Sequence, residues 1–327
     1  MGETLSKIPQ IEVGDTETTM RAFRDIGFVF VKAPSEVTDA LPEMYTAFEK
    51  LFDLTEEQKL VYERKRIHRQ RGYTPLNAET GIFCRNVISN PDGTSSDMPN
   101  YGENWFIGPE ITPDSNLNGK YSAFYQQNVW PDEVPELQEA IAPVYDGLQT
   151  MGRAVLQSLT EPLGQEPDYF ETMVENAPGT LFRPLHYPAI SPEQADSVIG
   201  ACDHTDINLV TVLPAPAREG LWVKTRAGEW IKGQAPAGHV IVQVADMLQH
   251  VTGGYFLSAQ HKVHSPIATS EGDKGRYSSA LFVHPAPDVL LEPIPEFTKN
   301  PDSYKPITAG DFLMKRLAEI GLASKQA

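Results

Sequence analysis

Leu209-Val210-Thr211-Val212-Leu213, Leu221-Trp222-Val223-Lys224, His239-Val240-Ile241-Val242-Gln243-Val244 and Ala280-Leu281-Phe282-Val283-His284 decide the fold. Each is a short run rich in β-branched and aromatic residues, and Gly-Glu, Ala-Gly and Gly-Gly turns punctuate them. Short runs at regular intervals predict an antiparallel sandwich or barrel with helices packed outside it. The 27 prolines point the same way, toward ordered loops and strand edges rather than a helical bundle. The first half reads differently. Residues 8–13 alternate like a strand, 18–26 read as a helix stopped by Gly27, and Phe28-Val29-Phe30-Val31 as a buried strand. Residues 41–51 and 55–62 are amphipathic, the second with Thr55 as N-cap before Glu56 and Glu57. Residues 77–119 read as long loops around short strands, and 135–163 as one long helix. A last helix, about 309–322, is expected to pack back onto the body.

A length of 327 residues with 40% hydrophobic and 22% charged residues suits one large unit with a core, and excludes disordered or small disulfide-stapled chains. No apolar run approaches the ~20 residues of a membrane helix, and no secretory signal is visible. The formal charge of −17, from 27 Lys+Arg against 44 Asp+Glu, repels phosphate backbones and anionic lipids. Nucleic acid and membrane surfaces are therefore not expected as partners. Cys84 and Cys202 show neither metal nor disulfide spacing, which predicts a reduced, cytoplasmic setting. Residues 1–6 have the form of an N-myristoylation signal, but one acyl chain needs a second signal and the residues that follow, Lys7 apart, are not basic.

His204-Thr205-Asp206 carries the first chemical signal. In extended chain, residues two apart share a face, so an imidazole and a carboxylate converge on one point, as metal ligands must. A His-x-Asp pair alone arises by chance and needs a third ligand from a distance. His261 follows the Gly253-Gly254 turn and leads into a strand that can return beside the first. Two histidines and one carboxylate form the facial donor set of non-haem Fe(II), with positions left open. His250 is the alternative third ligand. His264 points to the opposite face from His261, His239 opens an apolar strand, and His186 and His284 sit beside prolines as packing candidates. Arg276-Tyr277-Ser278 is the second signal: a guanidinium and a hydroxyl on one strand face form a carboxylate receptor. Alone, the same triplet reads as a surface arginine in a polar turn.

In this order, His204-x-Asp206, Ser258-x-x-His261-x-Val263 and Arg276-Tyr277-Ser278 resemble the iron- and 2-oxoglutarate-dependent dioxygenases related to isopenicillin N synthase. The resemblance extends through Ile8-Pro9-Gln10-Ile11, Ile26-Gly27-Phe28-Val29-Phe30-Val31, Leu51-Phe52-Asp53-Leu54, Arg71-Gly72-Tyr73, Asn128-Val129-Trp130-Pro131 and Arg183-Pro184-Leu185-His186-Tyr187-Pro188. It implies a mixed α+β fold, a double-stranded β-helix (jelly roll) with flanking helices. Residues 1–327 would form a single oxygenase unit, with 1–165 mostly helical, 166–310 the catalytic core and 311–327 the C-terminal helix. It implies Fe(II) on His204, Asp206 and His261, and the distal carboxylate of 2-oxoglutarate on Arg276 and Ser278 with help from Tyr187. The chain departs from the family at Gln243-Val244-Ala245-Asp246, Thr252-Gly253-Gly254, Lys262 and Leu185, none of which removes a ligand.

The implied reaction is oxidation of a small metabolite by O2, by hydroxylation or by desaturation or ring chemistry, in a monomer or weak oligomer. An oxidase like isopenicillin N synthase itself, which uses no 2-oxoglutarate, competes with it, because the same anchors could hold a substrate carboxylate. A jelly-roll binding protein without turnover should have lost a ligand, and a zinc hydrolase lacks a His-Glu-x-x-His arrangement. By alternation Phe282 shares the face of Arg276 and Ser278 and is expected to line the substrate pocket. The loops of residues 77–108, with Trp105 and Phe106, are expected to form a lid.

Overall fold

Strict alternation in the strands places one set of side chains toward an interior and the other toward helices, and two facing sheets result. The computed structural model describes residues 7–78, 88–89, 95–96, 100–110, 120–175, 177–195, 198–216 and 218–319. The chain begins β1 (Gln10–Ile11), α1 (Thr16–Asp25), β2 (Phe28–Lys32), α2 (Ser35–Phe52), α3 (Glu56–Leu60), β3 (Gly72–Thr74), β4 (Ile88–Ser89), β5 (Ser95–Ser96), β6 (Glu103–Phe106), α4 (Leu137–Ser158) and α5 (Tyr169–Val174). It continues β7 (Leu181–Tyr187), β8 (Ala201–His204), β9 (Val210–Leu213), β10 (Leu221–Lys224), β11 (Trp230–Lys232), β12 (His239–Val244), α6 (Asp246–Val251), β13 (His261–Val263) and β14 (Arg276–Val283). β15 (Leu290–Leu291), β16 (Ile307–Thr308) and α7 (Ala309–Glu319) complete it.

The major sheet runs β1-β2-β12-β9-β14-β7-β6-β3 and the minor sheet β11-β10-β13-β8. In the major sheet only β1 pairs parallel, with β2; the remaining pairs are antiparallel. This is a jelly roll extended at its edges by strands from the N-terminal half. Alternate residues divide two cores. Val29, Val31, Val240, Val242, Tyr277, Leu281 and Val283 face outward and join α2 and α4 in the large core. Phe28, Phe30, Tyr187, Ile241, Val223 and Val263 face between the sheets.

Helix ends follow local chemistry. The Asp15 side chain caps α1 by accepting from the Thr18 amide, and Thr55 with Gln58 forms a reciprocal capping box on α3. α2 begins at Ser35 rather than near residue 41 and runs through Pro42. The missing donor at Pro42 costs one backbone bond, and the buried stripe of Val37, Met44, Phe48 and Leu51 outweighs it. Trp105 and Phe106 correct the expectation of a lid: both lie in β6, buried within the major sheet, with Trp105 fully enclosed. Their polar, glycine-rich neighbours disguised a four-residue strand. Cys202 is disulfide-bonded, so the free-thiol argument for a cytoplasmic setting falls; separation along a chain does not measure distance in space. Cys84 and residues 1–6 lie outside the described residues. Among the described residues, no helix is long and apolar enough to cross a membrane.

Gly152 is the point where α4 touches the major sheet. A Cβ there would stand 2.8 Å from Cγ2 of Val283 and 3.1 Å from Cγ2 of Val212. Gly152→Val should force the helix off the sheet and cost about 1–3 kcal/mol. A lowered urea midpoint with an unchanged slope would report it.

Candidate active site

The pairing of β8 with β13 sets His261 opposite His204, and the ring centroids lie 4.2 Å apart. The Nδ1 atom of His204 lies 2.6 Å from the Cys202 carbonyl, and that of His261 lies 2.9 Å from the Ala259 carbonyl. A carbonyl only accepts, so each Nδ1 carries a proton and each Nε2 is the ring nitrogen left to face the cluster. Both Nε2 atoms face Oδ1 of Asp206, at 3.8 and 3.9 Å. The three donor atoms lie within 4.8 Å of one another, a spacing suited to one cation among them. The other carboxylate oxygen, Oδ2, accepts from Thr211 Oγ1 at 2.6 Å and from Gln243 Nε2. Those bonds fix the plane of the carboxylate and leave Oδ1 for the shared point. His250 instead bonds the Lys305 carbonyl from α6, and His264 is exposed beside Trp222, so neither joins the cluster.

Electrostatics suit the same purpose. Burial, reinforced by the neighbouring His261, pushes His204 down to about 4, so its ring is neutral near pH 7. Burial alone would raise Asp206, but His261, His204 and the Thr211 and Gln243 donors outweigh it and hold the carboxyl below its ordinary value. A neutral His204 ring and an ionised Asp206 carboxylate are the forms that ligate a metal.

The cluster opens onto a cavity of about 200 Å³. Arg276, Ser278, Ala280, Phe282 and His284 line it from β14 and its end, as period-two alternation requires. Leu181, Arg183, Leu185 and Tyr187 line it from β7, which pairs with β14 so that Arg276 opposes Tyr187 and Ser278 opposes Leu185. Arg276 is 3% exposed, its Nε donates to the Arg218 carbonyl at 2.8 Å, and its Nη1 has no partner among the described residues. Burial pushes its pKa below the ordinary arginine value. A buried guanidinium N–H without a partner among the described residues, on a side chain that lines a cavity, fits an anionic acceptor such as a carboxylate. Gly275 makes the approach possible: its φ is +96°, and a Cβ would stand 2.2 Å from the Tyr187 carbonyl. At the far end the Arg183 guanidinium lies 5.1 Å from the Phe106 ring centroid, and Phe106 lies 6.4 Å from Phe282.

The structure thus brings His204, Asp206 and His261 together, and Arg276, Ser278, Tyr187 and Phe282 into the same cavity. Sequence reading missed Thr211 and Gln243 as partners of Asp206. The signal for both was a polar residue at an inward position of an otherwise apolar strand.

A jelly roll with two histidines and a carboxylate at the end of its minor sheet, and a buried arginine in the adjoining cavity, defines a non-haem iron oxygenase. Comparison with known proteins names the family. Residues 179–285 match the 2OG-Fe(II) oxygenase superfamily, and residues 16–133 match the N-terminal region of the non-haem dioxygenases described from morphine synthesis. The chain is 26% identical over 312 residues to kihadalactone A synthase LFS of Citrus sinensis, covering 92% of this chain and 86% of that protein. A crystallised protein assigned to the 2OG-Fe(II) oxygenase family in Caulobacter crescentus superimposes with a TM-score of 0.78 at 28% identity, covering 97% of this chain and all of that one. A full-length Neurospora crassa protein, solved in complex with alpha-KG and 5-formyluracil, gives 0.75 at 25% identity, covering 95% of this chain and 96% of that one. The chain belongs to the iron- and 2-oxoglutarate-dependent dioxygenases; its cofactor is Fe(II) and its cosubstrate 2-oxoglutarate. These findings support 2-oxoglutarate use over the oxidase alternative.

Two outcomes follow from this geometry. Thr211→Val removes one donor from Asp206 and should weaken Fe(II) binding by about 10–100-fold, measured by competition with a chelator. His284, like His204, is pushed down to about 4 by burial. Between the ordinary value of 6.5 and about 4, the unfolded chain takes up protons that the folded, metal-free protein refuses. The melting temperature of the metal-free protein should therefore fall as pH is lowered through that window.

Proposed function

We propose that the enzyme holds Fe(II) on His204, Asp206 and His261, anchors the distal carboxylate of 2-oxoglutarate on Arg276, Ser278 and Tyr187, and hydroxylates a small, partly apolar molecule beside Phe282. The observation that carries this reading is the Nη1 of buried Arg276, without a partner among the described residues, on a side chain that lines the same cavity as the converged donor atoms. The overall change balances as substrate C–H, O2 and 2-oxoglutarate going to alcohol, succinate and carbon dioxide. Bound iron with its cosubstrate supplies the oxygen activation and C–H oxidation.

The protein's own work is placement. Thr211 and Gln243 hold the Asp206 carboxylate, and the Cys202 and Ala259 carbonyls hold the two imidazoles. Arg276 and Ser278 orient the cosubstrate along β14, and Phe282 and Phe106 present apolar surface to the substrate beyond it. The cavity, lined by both polar and apolar side chains, supports a free small molecule, and the net charge of −17 argues against nucleic acid.

The test is succinate formation from 2-oxoglutarate under air, with and without Fe(II), in the presence of an accepted substrate. Product without succinate would return the reading to the oxidase. His261→Ala should abolish turnover and weaken metal binding by ~10-fold or more. Arg276→Gln should cost about 2–5 kcal/mol of 2-oxoglutarate binding, measured by calorimetry.

A further inference from the structure

Behind the cosubstrate end of the cavity, on the opposite face of the major sheet, lies a buried cluster of charged side chains. Glu103 of β6 is 3% exposed and pairs across the strands with His186 of β7. Its Oε2 accepts from Lys59 Nζ at 2.7 Å and from the Tyr73 hydroxyl at 2.5 Å, and its Oε1 lies 2.8 Å from Nδ1 of His186. The other ring nitrogen of His186, Nε2, lies 2.7 Å from the carbonyl oxygen of Lys274. Both neighbours of the ring are acceptors. Burial would raise Glu103, yet the donors of His186, Lys59 and Tyr73 outweigh it and hold the carboxyl below its ordinary value. It therefore has no proton to give. A neutral imidazole has one N–H and would set a lone pair against one of the two oxygens; only a ring with both protons satisfies both. The aromatic faces of Phe52 and Tyr277 enclose it, at centroid distances of 5.4 and 4.8 Å, an arrangement that favours a cation.

The Lys274 carbonyl lies two residues before Arg276, and His186 lies one residue before Tyr187. The ring thus ties together the strand ends that carry both groups placed on the cosubstrate carboxylate. The intervening Gly275 is pressed against the Tyr187 carbonyl, so the turn has little room to shift as a unit. We infer that His186, held between Glu103 and the Lys274 carbonyl with both ring nitrogens protonated, is a positioning residue for 2-oxoglutarate. It sets the spacing of Arg276 and Tyr187 from behind the sheet, without touching the cavity. This inference rests on the cosubstrate reading of Arg276 given above.

The other charged and titratable groups packed around the ring are Lys59 from α3, Tyr73 from β3, Tyr277 from β14, and Asp53 after α2, which pairs with Lys274 Nζ at 2.8 Å. None of them offers the Lys274 carbonyl a second donor among the described residues. Replacing His186 by glutamine leaves a side chain whose single amide nitrogen cannot serve both oxygens with the same geometry.

The experiment uses the full-length protein loaded with Fe(II) without oxygen, titrated with 2-oxoglutarate by calorimetry. His186→Gln and Glu103→Gln should each raise the dissociation constant about tenfold, the effect of one hydrogen bond to a charged group. Metal affinity should not change, and kcat at saturating 2-oxoglutarate should stay within about twofold. In ¹⁵N-histidine spectra of the metal-free wild type, one ring should show two protonated nitrogens and vanish in His186→Gln. A ring with a single proton at this position, or an unchanged dissociation constant in a folded variant, overturns the inference. If His186→Gln does not fold, Glu103→Gln and the spectrum of the wild type decide it. Unchanged affinity in Arg276→Gln would instead sink the cosubstrate reading itself, which separates the two failures.

Discussion

The antiparallel pairing of β8 with β13 is the constraint on which the site depends. It places His261 directly across from His204, and the carbonyls of Cys202 and Ala259 turn each ring so that Nε2 faces inward. A slip of one residue would send one imidazole to the other face of the minor sheet. Asp206 lies just past the strand, where its backbone carbonyl accepts from the Asp246 amide and its side chain meets Thr211 of β9 and Gln243 of β12. The major sheet therefore holds a carboxylate that the chain carries in from a minor-sheet strand, and the separation of the sheets sets where the donor atoms meet.

The major sheet serves two purposes by alternation. In β14, Arg276, Ser278, Ala280 and Phe282 face the cavity, while Tyr277, Leu281 and Val283 pack against helices. The helices are not passive cover. α2 supplies Phe52 against His186 and Tyr277, and α3 supplies Lys59 to Glu103. Charges that could not be solvated are paired there, since a buried Lys59 or Glu103 left alone would cost several kcal/mol, roughly 3–5 by comparison with broken buried pairs.

Charge is distributed unevenly. The whole chain is strongly acidic, yet the cavity holds Arg276 and Arg183, and the only carboxylate lining it among the described residues is Asp206. A long-range field that repels polyanions thus surrounds a local site that contains a buried guanidinium. Depth and desolvation decide the local preference, because a buried guanidinium interacts over a few ångströms at low dielectric while the surface charges are screened by salt.

Much of the site was legible in the order of residues alone. The convergence of His204 with Asp206, and the shared face of Arg276, Ser278 and Phe282, follow from the two-residue repeat of extended backbone, which is a local property. Thr55 as a cap was readable for the same reason. The turn before His261 and the strand after it already favoured His261 over His250, and the family resemblance added to that choice. Other features depended on the register between distant strands: Thr211 and Gln243 on Asp206, Glu103 between Lys59 and His186, Trp105 inside a sheet, and the disulfide at Cys202. The sequence by itself determined which residues share a face, because side-chain direction is dictated by neighbouring peptide geometry. Only the tertiary structure decided which faces meet, because that depends on loop closure and on the burial that many distant residues provide together.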